Sequence, residues 1–173
     1  MLGRNRYSEF YASTLQPGEV CIFISHQKND SGAARKIADY LIRAGIDVYF
    51  DEYDKSINRS DPKSVVAAIK RGLDASSHLL VLLSSNALAS TWVPWEVGYG
   101  YRKNVAGLTL KEVAKANLPE YLQVIPVVKG TLSLNEFVSR LTGIGQEAMI
   151  NENRLTRYFS AYHPLSEILD QTL

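Results

Sequence analysis

The sequence predicts an α/β fold in which helices cover both faces of a parallel sheet. Two apolar runs, residues 20–24 and 78–83, have no polar position on either face, which is typical of strands in the middle of a covered sheet. Helical patterns with one apolar face follow these runs. The predicted order is β-α-β-α-β-α-β-α, followed by a C-terminal tail. This alternation indicates a doubly wound three-layer sandwich.

Composition limits the classes of function. The chain has 173 residues, of which 46% are hydrophobic and 21% charged, so it is expected to be globular. A net charge of +1 gives no electrostatic case for a nucleic-acid or membrane partner. The single cysteine, Cys21, excludes a disulfide within one chain and favours a reducing compartment. No apolar run approaches the roughly 20 residues of a membrane span, and no signal peptide opens the chain, so we expect a cytoplasmic location.

The first elements follow from local signals. Residues 1–18 are polar, end at Pro17-Gly18 and are interpreted as an N-terminal extension, which leaves 19–173 as a single domain. The strand at 20–24 leads into a polar loop and then a helix that Ser31 or Asp30 caps and Gly45 ends. The expected buried face of this helix consists of Ala34, Ile37, Ala38, Leu41 and Ile42. A second strand at 46–50 completes a right-handed βαβ unit.

The middle of the chain begins with a long polar loop at 51–62. Loops that join a strand to the next helix usually have about 2–6 residues, so this longer one is expected to be a lid or a binding loop. Asp61 and Pro62 suit the cap and the first position of a helix that buries Val65, Val66, Ile69 and Leu73. After the strand at 78–83, Pro94 is tolerated only in a first helical turn, so the next helix is expected to begin near Thr91.

The remaining elements have weaker patterns. Residues 103–119 are interpreted as a long connection with little helical character. Residues 122–128 are predicted to form the fourth strand, with Pro126 at its end or on an edge. A short helix is expected at 134–141. A last helix is expected at 154–173, interrupted near His163-Pro164.

The strand ends predict where a ligand binds. In doubly wound sheets, ligands lie beyond the carboxyl ends of the strands, here Ser25-His26, residues 51–54 and Ser84-Ser85. Glu96 lies on the helix after the third strand and is expected to reach the same rim. It is the only acid between Asp74 and Glu112, in a segment rich in Trp, Val, Gly and Tyr. Such a carboxylate is either paired with a base or present for chemistry.

Several familiar sites are absent from the sequence. No GxGxxG opens the first helix, and there is no GxxxxGK[ST] loop. His26, His78 and His163 are scattered without the spacing of metal ligands, so no metal site is predicted. Ser25 and His26 are strand neighbours that point to opposite sides, so they are not a nucleophile and its base. A receiver domain would need acids after the first strand and an Asp at the end of the third. This chain has Ser25-His26 and Ser84-Ser85 at those positions, which does not favour a receiver domain.

Three segments resemble the TIR (Toll/interleukin-1 receptor) domain family. They are FISH at 23–26, VYFDEYD at 48–54 and LLSSNALASTWVPWE at 82–96. The third is similar to the family's WxxxE pair, with Trp92 and Glu96 at the two positions. The resemblance covers residues 19–128 and implies the flavodoxin-like TIR fold. The chain departs from the family in having no glycine in the 51–62 loop and in placing His26 where an aromatic residue is frequent.

The resemblance also implies an activity. Similar bacterial TIR proteins, including the Thoeris-like proteins of anti-phage defence, cleave NAD at the nicotinamide–ribose bond and release, cyclise or transfer ADP-ribose. NAD is then a substrate and not a bound cofactor. The glutamate of WxxxE is catalytic in that family, which implies this role for Glu96. Many TIR domains also assemble with their own kind, which implies a homo-oligomer and a separate sensor or effector protein.

The chemistry suits one carboxylate. Nicotinamide leaves NAD as a neutral molecule, so no general acid is needed, unlike in ordinary glycoside hydrolysis. An ionised carboxylate near the ribose stabilises the growing oxocarbenium charge, and the nearby helix N-terminus favours its ionised form. Trp92, one helical turn before Glu96, is expected to buttress it. Further expected contacts are Ser25 and His26 with phosphate or ribose, Tyr53 stacked on nicotinamide or adenine, and Ser84 with ribose.

Two other functions remain open from the sequence. The first is a TIR interaction module without catalysis, whose 51–62 loop docks a partner. The second is an enzyme similar to nucleoside deoxyribosyltransferases, which share an α/β fold and a glutamate acting at ribose. Cleavage of NAD or of a deoxynucleoside discriminates between the two enzymes.

Overall fold

A computed structural model describes residues 1–6, 15–50, 60–113 and 118–171. In these residues the sheet is entirely parallel, with strand order β2-β1-β3-β4-β5. The strands are β1 (Cys21–Ser25), β2 (Asp47–Tyr49), β3 (His78–Leu83), β4 (Asn104–Thr109) and β5 (Val127–Lys129). The chain runs outward from β1 to β2 and then returns to β3 on the other side of β1. This order confirms the doubly wound, flavodoxin-like α/β fold.

Helices cover both faces of the sheet. They are α1 (Ser31–Arg43), α2 (Pro62–Asp74), α3 (Ser85–Leu88), α4 (Trp92–Gly100), α5 (Glu120–Gln123), α6 (Gly130–Thr142) and α7 (Gln146–Asn151). Ile22 and Ile24 of β1 face a core shared with α1 and α6, while Cys21 and Phe23 face a second core shared with α2 and α4. Alternation along buried strands therefore produces the predicted three layers.

The predicted βαβ unit is confirmed. β1 pairs in parallel with β2, and Cys21 lies opposite Asp47. Gly45, two positions after the last residue of α1, has a φ of 91°, a conformation that glycine adopts without strain. Burial raises the pKa of the Cys21 thiol to about 11, which agrees with the interpretation of this cysteine as an unreactive core residue.

The start of α2 is also confirmed. The Asp61 carboxylate accepts hydrogen bonds from the backbone N–H groups of Lys63 (3.0 Å) and Ser64 (3.3 Å), and Pro62 is the first helical residue. The buried residues of this helix include Ile69 and Leu73, as predicted. The loop predicted at 51–62 lies outside the described residues over 51–59.

The interpretation of 103–119 as a connection is wrong, because β4 lies within it. This strand pairs along its whole length with β3. Its apolar pattern is weakened by Ala106 and Gly107 in its middle. A Cβ atom at Gly107 would lie 2.7 Å from Leu83 Cδ1, so the close packing of β3 explains why a residue with poor strand propensity stands there.

The fourth predicted strand, 122–128, is wrong over most of its length. Leu122 belongs to α5 and is buried in the core under the sheet, whereas Val124 is 68% exposed. A strand through 122–128 would not produce this pattern of burial. Only Val127–Lys129 pairs with β4, and the Pro126 carbonyl accepts a hydrogen bond from Gly107 N–H at 2.9 Å.

The C-terminal region differs from its prediction. The helix expected at 134–141 exists as the longer α6. The helix predicted at 154–173 is wrong over the described residues, which form turns after α7. Asn153 has a φ of 57° and ends the helical region, and Leu165 and Leu169 reach the core from irregular backbone. Spacing alone does not separate such contacts from a helical face.

A closed polar network holds this tail. Tyr40 Oη donates to Asn135 Oδ1 at 2.6 Å and accepts from Thr156 N–H at 3.2 Å. Asn135 Nδ2 donates to the Thr156 carbonyl at 2.9 Å. The Leu165 N–H donates to Nδ1 of His163 at 3.2 Å, so the ring proton lies on Nε2, 3.3 Å from Tyr40 Oη. Each buried polar atom of this network therefore has a partner.

The first residues of the chain lie along β2. Asn5 pairs with Val48 in a parallel bridge, and Val48 N–H donates to the Arg4 carbonyl at 2.9 Å. Arg6 binds Asp47 at 2.8 Å and Glu19 at 3.0 Å. The division into an extension at 1–18 and a domain at 19–173 stays a prediction, and residues 7–14 lie outside the described part. None of the described helices has the length and apolar composition needed to cross a membrane.

Candidate active site

Glu96 projects from α4 into the rim formed by the carboxyl ends of the strands. The helix begins at Trp92 with Thr91 at its cap position, as Pro94 predicted. Pro94 is the third helical residue, where a missing N–H costs no helical hydrogen bond. The Glu96 side chain is buried, with 8% of its surface exposed. A carboxylate at this depth needs polar partners.

Ser25 supplies such a partner. Its hydroxyl donates a hydrogen bond to Glu96 Oε2. Ser25 is the last residue of β1, and its side chain is 2% exposed. The contact therefore lies at the end of β1 beside β3, where the chain changes direction across the sheet. This is the position at which doubly wound folds bind nucleotides.

The helix dipole acts on Glu96 less than the sequence suggested. Glu96 is the fifth residue of α4, and the field of a helix N-terminus falls off within the first turn. The contact with Ser25 is instead a direct hydrogen bond. The orientation of the carboxylate thus depends on β1 as well as on its own helix.

His26 lies on the other side of β1. Its ring is 5.1 Å from the ring of Phe50 between centroids, and Nδ1 lies 3.3 Å from the Ile24 carbonyl oxygen. Ser25 and His26 thus face opposite directions, as predicted. The structure brings Ser25, and not His26, to Glu96. The predicted contact of His26 with substrate stays a prediction.

Ser84 is buried at the end of β3. Its hydroxyl donates to Asp30 Oδ2 and accepts from the Ala87 N–H at 2.9 Å, which caps α3. Asn86 Nδ2 donates to the other oxygen of Asp30 at 2.9 Å. The one hydroxyl proton of Ser84 and one of its lone pairs are thus used within the fold. Its predicted contact with ribose stays a prediction.

Asp30 does not have the capping role considered for it. It occupies the cap position of α1, but its carboxylate accepts no hydrogen bond from that helix. Its oxygens bind Ser84 and Asn86 instead. A second hydrogen-bonded connection joins the loop after β1 to the segment before α4. Gln27 Nε2 donates to Ser90 Oγ at 2.5 Å, and Ser90 Oγ accepts from Trp92 N–H at 3.0 Å.

Trp92 lies at the start of α4 and is 38% exposed. Its ring packs edge-on against Trp95, with centroids 6.1 Å apart, and Trp95 stacks on Tyr99 at 5.5 Å. Trp92 and Glu96 share one helix at the expected spacing. The predicted buttressing role of Trp92 stays a prediction. Tyr53 lies outside the described residues.

No metal centre is formed by the described residues. They contain no group of three or more His, Cys, Asp or Glu side chains placed to hold an ion. A cleft of about 470 Å³ lies at the opposite end of the sheet, lined by the N-terminal segment, residues 45–47 and Arg154. The charges of Arg6, Asp47 and Glu19 in this cleft are paired with one another. We therefore place the candidate site at Glu96, at the carboxyl ends of the strands.

The sequence reasoning missed Gln27, Asp30, Asn86 and Ser90 as members of the site region. A signal was present, since all four follow β1 or β3, two strands that are neighbours in the sheet. Polar residues after neighbouring parallel strands meet at one edge. The sequence does not predict which of these side chains form hydrogen bonds with each other, because several polar residues follow each strand.

Comparison with known proteins identifies the family of this chain. Residues 22–136, more than half of the chain, match the family described as TIR domain. A protein named "Probable 3' cyclic ADP-D-ribose synthase ThsB'" from Bacillus cereus (strain MSX-D12) is 34% identical over 119 residues. That similarity covers 64% of this chain and 62% of the relative. Fold, motif and family match agree, and the chain belongs to the TIR domain family.

Proposed function

We propose that this protein cleaves the bond between nicotinamide and ribose in NAD, with Glu96 as its catalytic residue. The observation that carries the proposal is the buried contact between Ser25 and Glu96 at the switch point of the sheet. Membership of the TIR family adds support. The resemblance of Trp92 and Glu96 to the family's WxxxE pair implies that Glu96 is the catalytic glutamate. NAD is the substrate, and no bound cofactor is invoked.

The proposed mechanism needs one carboxylate. Nicotinamide departs as a neutral ring, so the bond breaks without a proton donor at the leaving group. The positive charge that develops on the ribose is stabilised by the Glu96 carboxylate, and burial strengthens this interaction by keeping water away. Ser25 fixes the rotation of the carboxylate, so that little reorganisation is needed as the charge forms.

We further propose that the product is a cyclic ADP-ribose and that it serves as a signal in anti-phage defence. The support for a cyclic product is the name of the relative from Bacillus cereus, a probable 3' cyclic ADP-D-ribose synthase. The role in defence rests on the resemblance to bacterial TIR proteins. Hydrolysis to ADP-ribose and transfer to an acceptor use the same cleavage step. They differ only in the nucleophile that reaches the ribose carbon.

The proposal includes an oligomeric active form in the cytoplasm, together with a separate protein that senses the trigger or reads the product. Its support is the behaviour that the TIR resemblance implies. Light scattering of the purified protein over a range of concentrations, with and without NAD, measures the first of these expectations.

The test is chromatography of NAD incubated with concentrated wild-type protein and with the Glu96→Gln variant. We expect nicotinamide from the wild type and a loss of at least about 100-fold in the variant, since the charge that stabilises the transition state is gone. A cyclic product identified by mass supports the synthase reaction, and linear ADP-ribose supports hydrolysis.

Controls separate the other functions. Glu136→Gln is a matched control, because Glu136 is an exposed acid on α6, away from the strand ends. It is expected to behave as the wild type. Equal nicotinamide release by wild type and Glu96→Gln would contradict the role of Glu96. Release of a free base from deoxynucleosides, with NAD intact, would favour the deoxyribosyltransferase-like function.

A further inference from the structure

Two hydrogen-bonded connections join the loop after β1 to the segment that leads into α4. The first runs from Asp30 to Ser84 and Asn86, and the second runs from Gln27 to Ser90. Both begin within five residues of Ser25. The loop that follows Ser25 therefore also holds both ends of the segment that precedes Glu96.

Asp30 is the charged member of this arrangement. It is 8% exposed, and one carboxylate oxygen accepts from Ser84 while the other accepts from Asn86. An acid at the start of a helix normally accepts from the helix backbone, but the Asp30 side chain makes no such bond. Its hydrogen bonds are directed to the 84–86 segment instead. These bonds offset the cost of burying the charge.

The contacts reach α4 through a short chain of elements. Ser84, which donates to Asp30, also caps α3 through the Ala87 N–H. Ser90 follows α3 and accepts from Trp92 N–H, the first amide of α4. A shift at residues 84–86 is thus transmitted to the start of α4, and from there to Glu96 one turn later.

We propose that Asp30 is a positioning residue for Glu96: its buried carboxylate fixes the 84–91 segment over the end of β1 and so sets the contact between Ser25 and Glu96. The inference rests on the proposed function of Glu96. Asp30 acts through the backbone of the segment and is not assigned a contact with substrate.

Exchanging the two side chains of one hydrogen bond tests the proposal. In Asp30→Asn only one oxygen remains, so either Ser84 or Asn86 loses its acceptor, and in Asn86→Asp two carboxylates face each other. In the double variant the amide of residue 30 donates to the carboxylate of residue 86, while its oxygen still accepts from Ser84. Asp39→Asn is the matched control, because Asp39 is an exposed acid on the same helix.

Two readouts are measured on each variant. The first is kcat and KM for nicotinamide release, at a temperature where the variant is folded. The second is the near-ultraviolet circular dichroism and acrylamide quenching of tryptophan. The protein has two tryptophans, Trp92 and Trp95, and both lie on α4. The second readout therefore reports the position of α4 without depending on activity.

Each single variant is expected to lower kcat by about tenfold or more, with KM changed by less than about threefold, and to alter the tryptophan signals. The double variant should restore both readouts, and Asp39→Asn should match the wild type. Wild-type tryptophan signals in Asp30→Asn would overturn the proposal. So would losses that the double variant does not restore, since these indicate only a weakened α1.

Two other outcomes also bear on the proposed role of Asp30. If Asp30→Asn does not fold, Asn86→Ala removes one of the two bonds from the exposed side, and the same losses are expected from it. If the wild type releases no nicotinamide, the proposed function fails under those conditions. The positioning of α4 by Asp30 is then judged by the tryptophan signals, which either change and recover in the double variant or leave the proposal contradicted.

Discussion

At the scale of single residues, the hydroxyl of Ser25 acts directly on Glu96 through a hydrogen bond. Ser25→Ala removes a hydrogen bond to a charged group, which contributes roughly 1.5–3 kcal/mol. We expect kcat for nicotinamide release to fall by about 10- to 100-fold, because the carboxylate loses its orientation. KM for NAD should change much less. Steady-state kinetics on the folded variant measure both values.

A neighbouring serine provides the control for this prediction. Ser85 lies exposed after the end of β3, and Ser85→Ala should leave kcat unchanged. If Ser25→Ala retains wild-type kcat, Ser25 does not orient the catalytic carboxylate. A rise in KM alone would indicate the contact with phosphate or ribose that the sequence suggested.

The position of Glu96 at the rim of the sheet was predictable from sequence, whereas for its partner Ser25 only the general region was predictable. Pro94 fixes the start of α4, and the motif identifies the acid. Ser25 and Glu96 are 71 positions apart, so only the strand order brings them together. For Asp30 the local rule favoured a helix cap. The contacts with Ser84 and Asn86, 54 and 56 positions away, prevail in the folded state.

At the scale of secondary-structure elements, Gly72 allows α2 to lie against the sheet. A Cβ atom there would be 2.5 Å from Tyr49 Cε1 and 2.6 Å from Phe23 Cε2, in a pair of stacked buried rings. Gly72→Ala gains about 1 kcal/mol of helix propensity but overpacks the core at a cost of roughly 1–3 kcal/mol. We expect the cost to prevail, because both rings are held in the core. Urea denaturation measures the change.

A second glycine gives the opposite expectation. Gly98 lies within α4, and a Cβ atom there meets no atom within 4 Å. Gly98→Ala should therefore raise the free energy of unfolding by up to about 1 kcal/mol. Equal effects of the two substitutions would show that packing against Tyr49 and Phe23 does not decide the outcome at Gly72.

The cap of α2 is a further element whose contribution can be measured. Asp61→Ala removes the acceptor for the N–H groups of Lys63 and Ser64 and should lower stability by about 1 kcal/mol. In a chain of this size the melting temperature then falls by about 2–4 °C. Asp74 lies exposed at the other end of the helix, where a negative charge is unfavourable, so Asp74→Ala should cause no loss. Calorimetry of both variants makes the comparison.

Elements with strong local signals were predictable, and those defined by long-range packing were not. Asp61-Pro62 and Pro94 determine where α2 and α4 begin, since caps and proline act through local geometry. β4 was missed because Gly107 and Ala106 weaken its pattern. The packing of Leu83 against Gly107 explains these small residues, and it is visible only in the folded sheet.

At the scale of the whole molecule, His163 makes stability depend on pH. Its pKa is lowered from 6.5 to about 4, first by burial and then by the positive charge of Arg43. Between these values the unfolded chain binds a proton at this position and the folded protein does not. The free energy of unfolding therefore decreases as pH falls from 6.5 to about 4, by an amount on the order of 2–3 kcal/mol.

The variant His163→Gln isolates this effect. Glutamine does not titrate, so the variant should lose less stability than the wild type between pH 7 and pH 4.5 in urea denaturation. The difference between the two proteins is the relevant quantity, because His78, whose pKa is also lowered by burial, adds a slope of the same sign. Parallel pH profiles would contradict the assignment to His163.

The segment that lies along β2 has a consequence for contacts between molecules. The outer edge of a terminal strand offers unpaired N–H and C=O groups to which a foreign strand can add, which is a common route to aggregation. In this protein Arg4 and Asn5 already fill that position beside Val48. A continuous intermolecular sheet through β2 is thereby blocked. On this side of the described sheet, contacts between copies are therefore expected to use the side chains of residues 1–6 and not the backbone of β2.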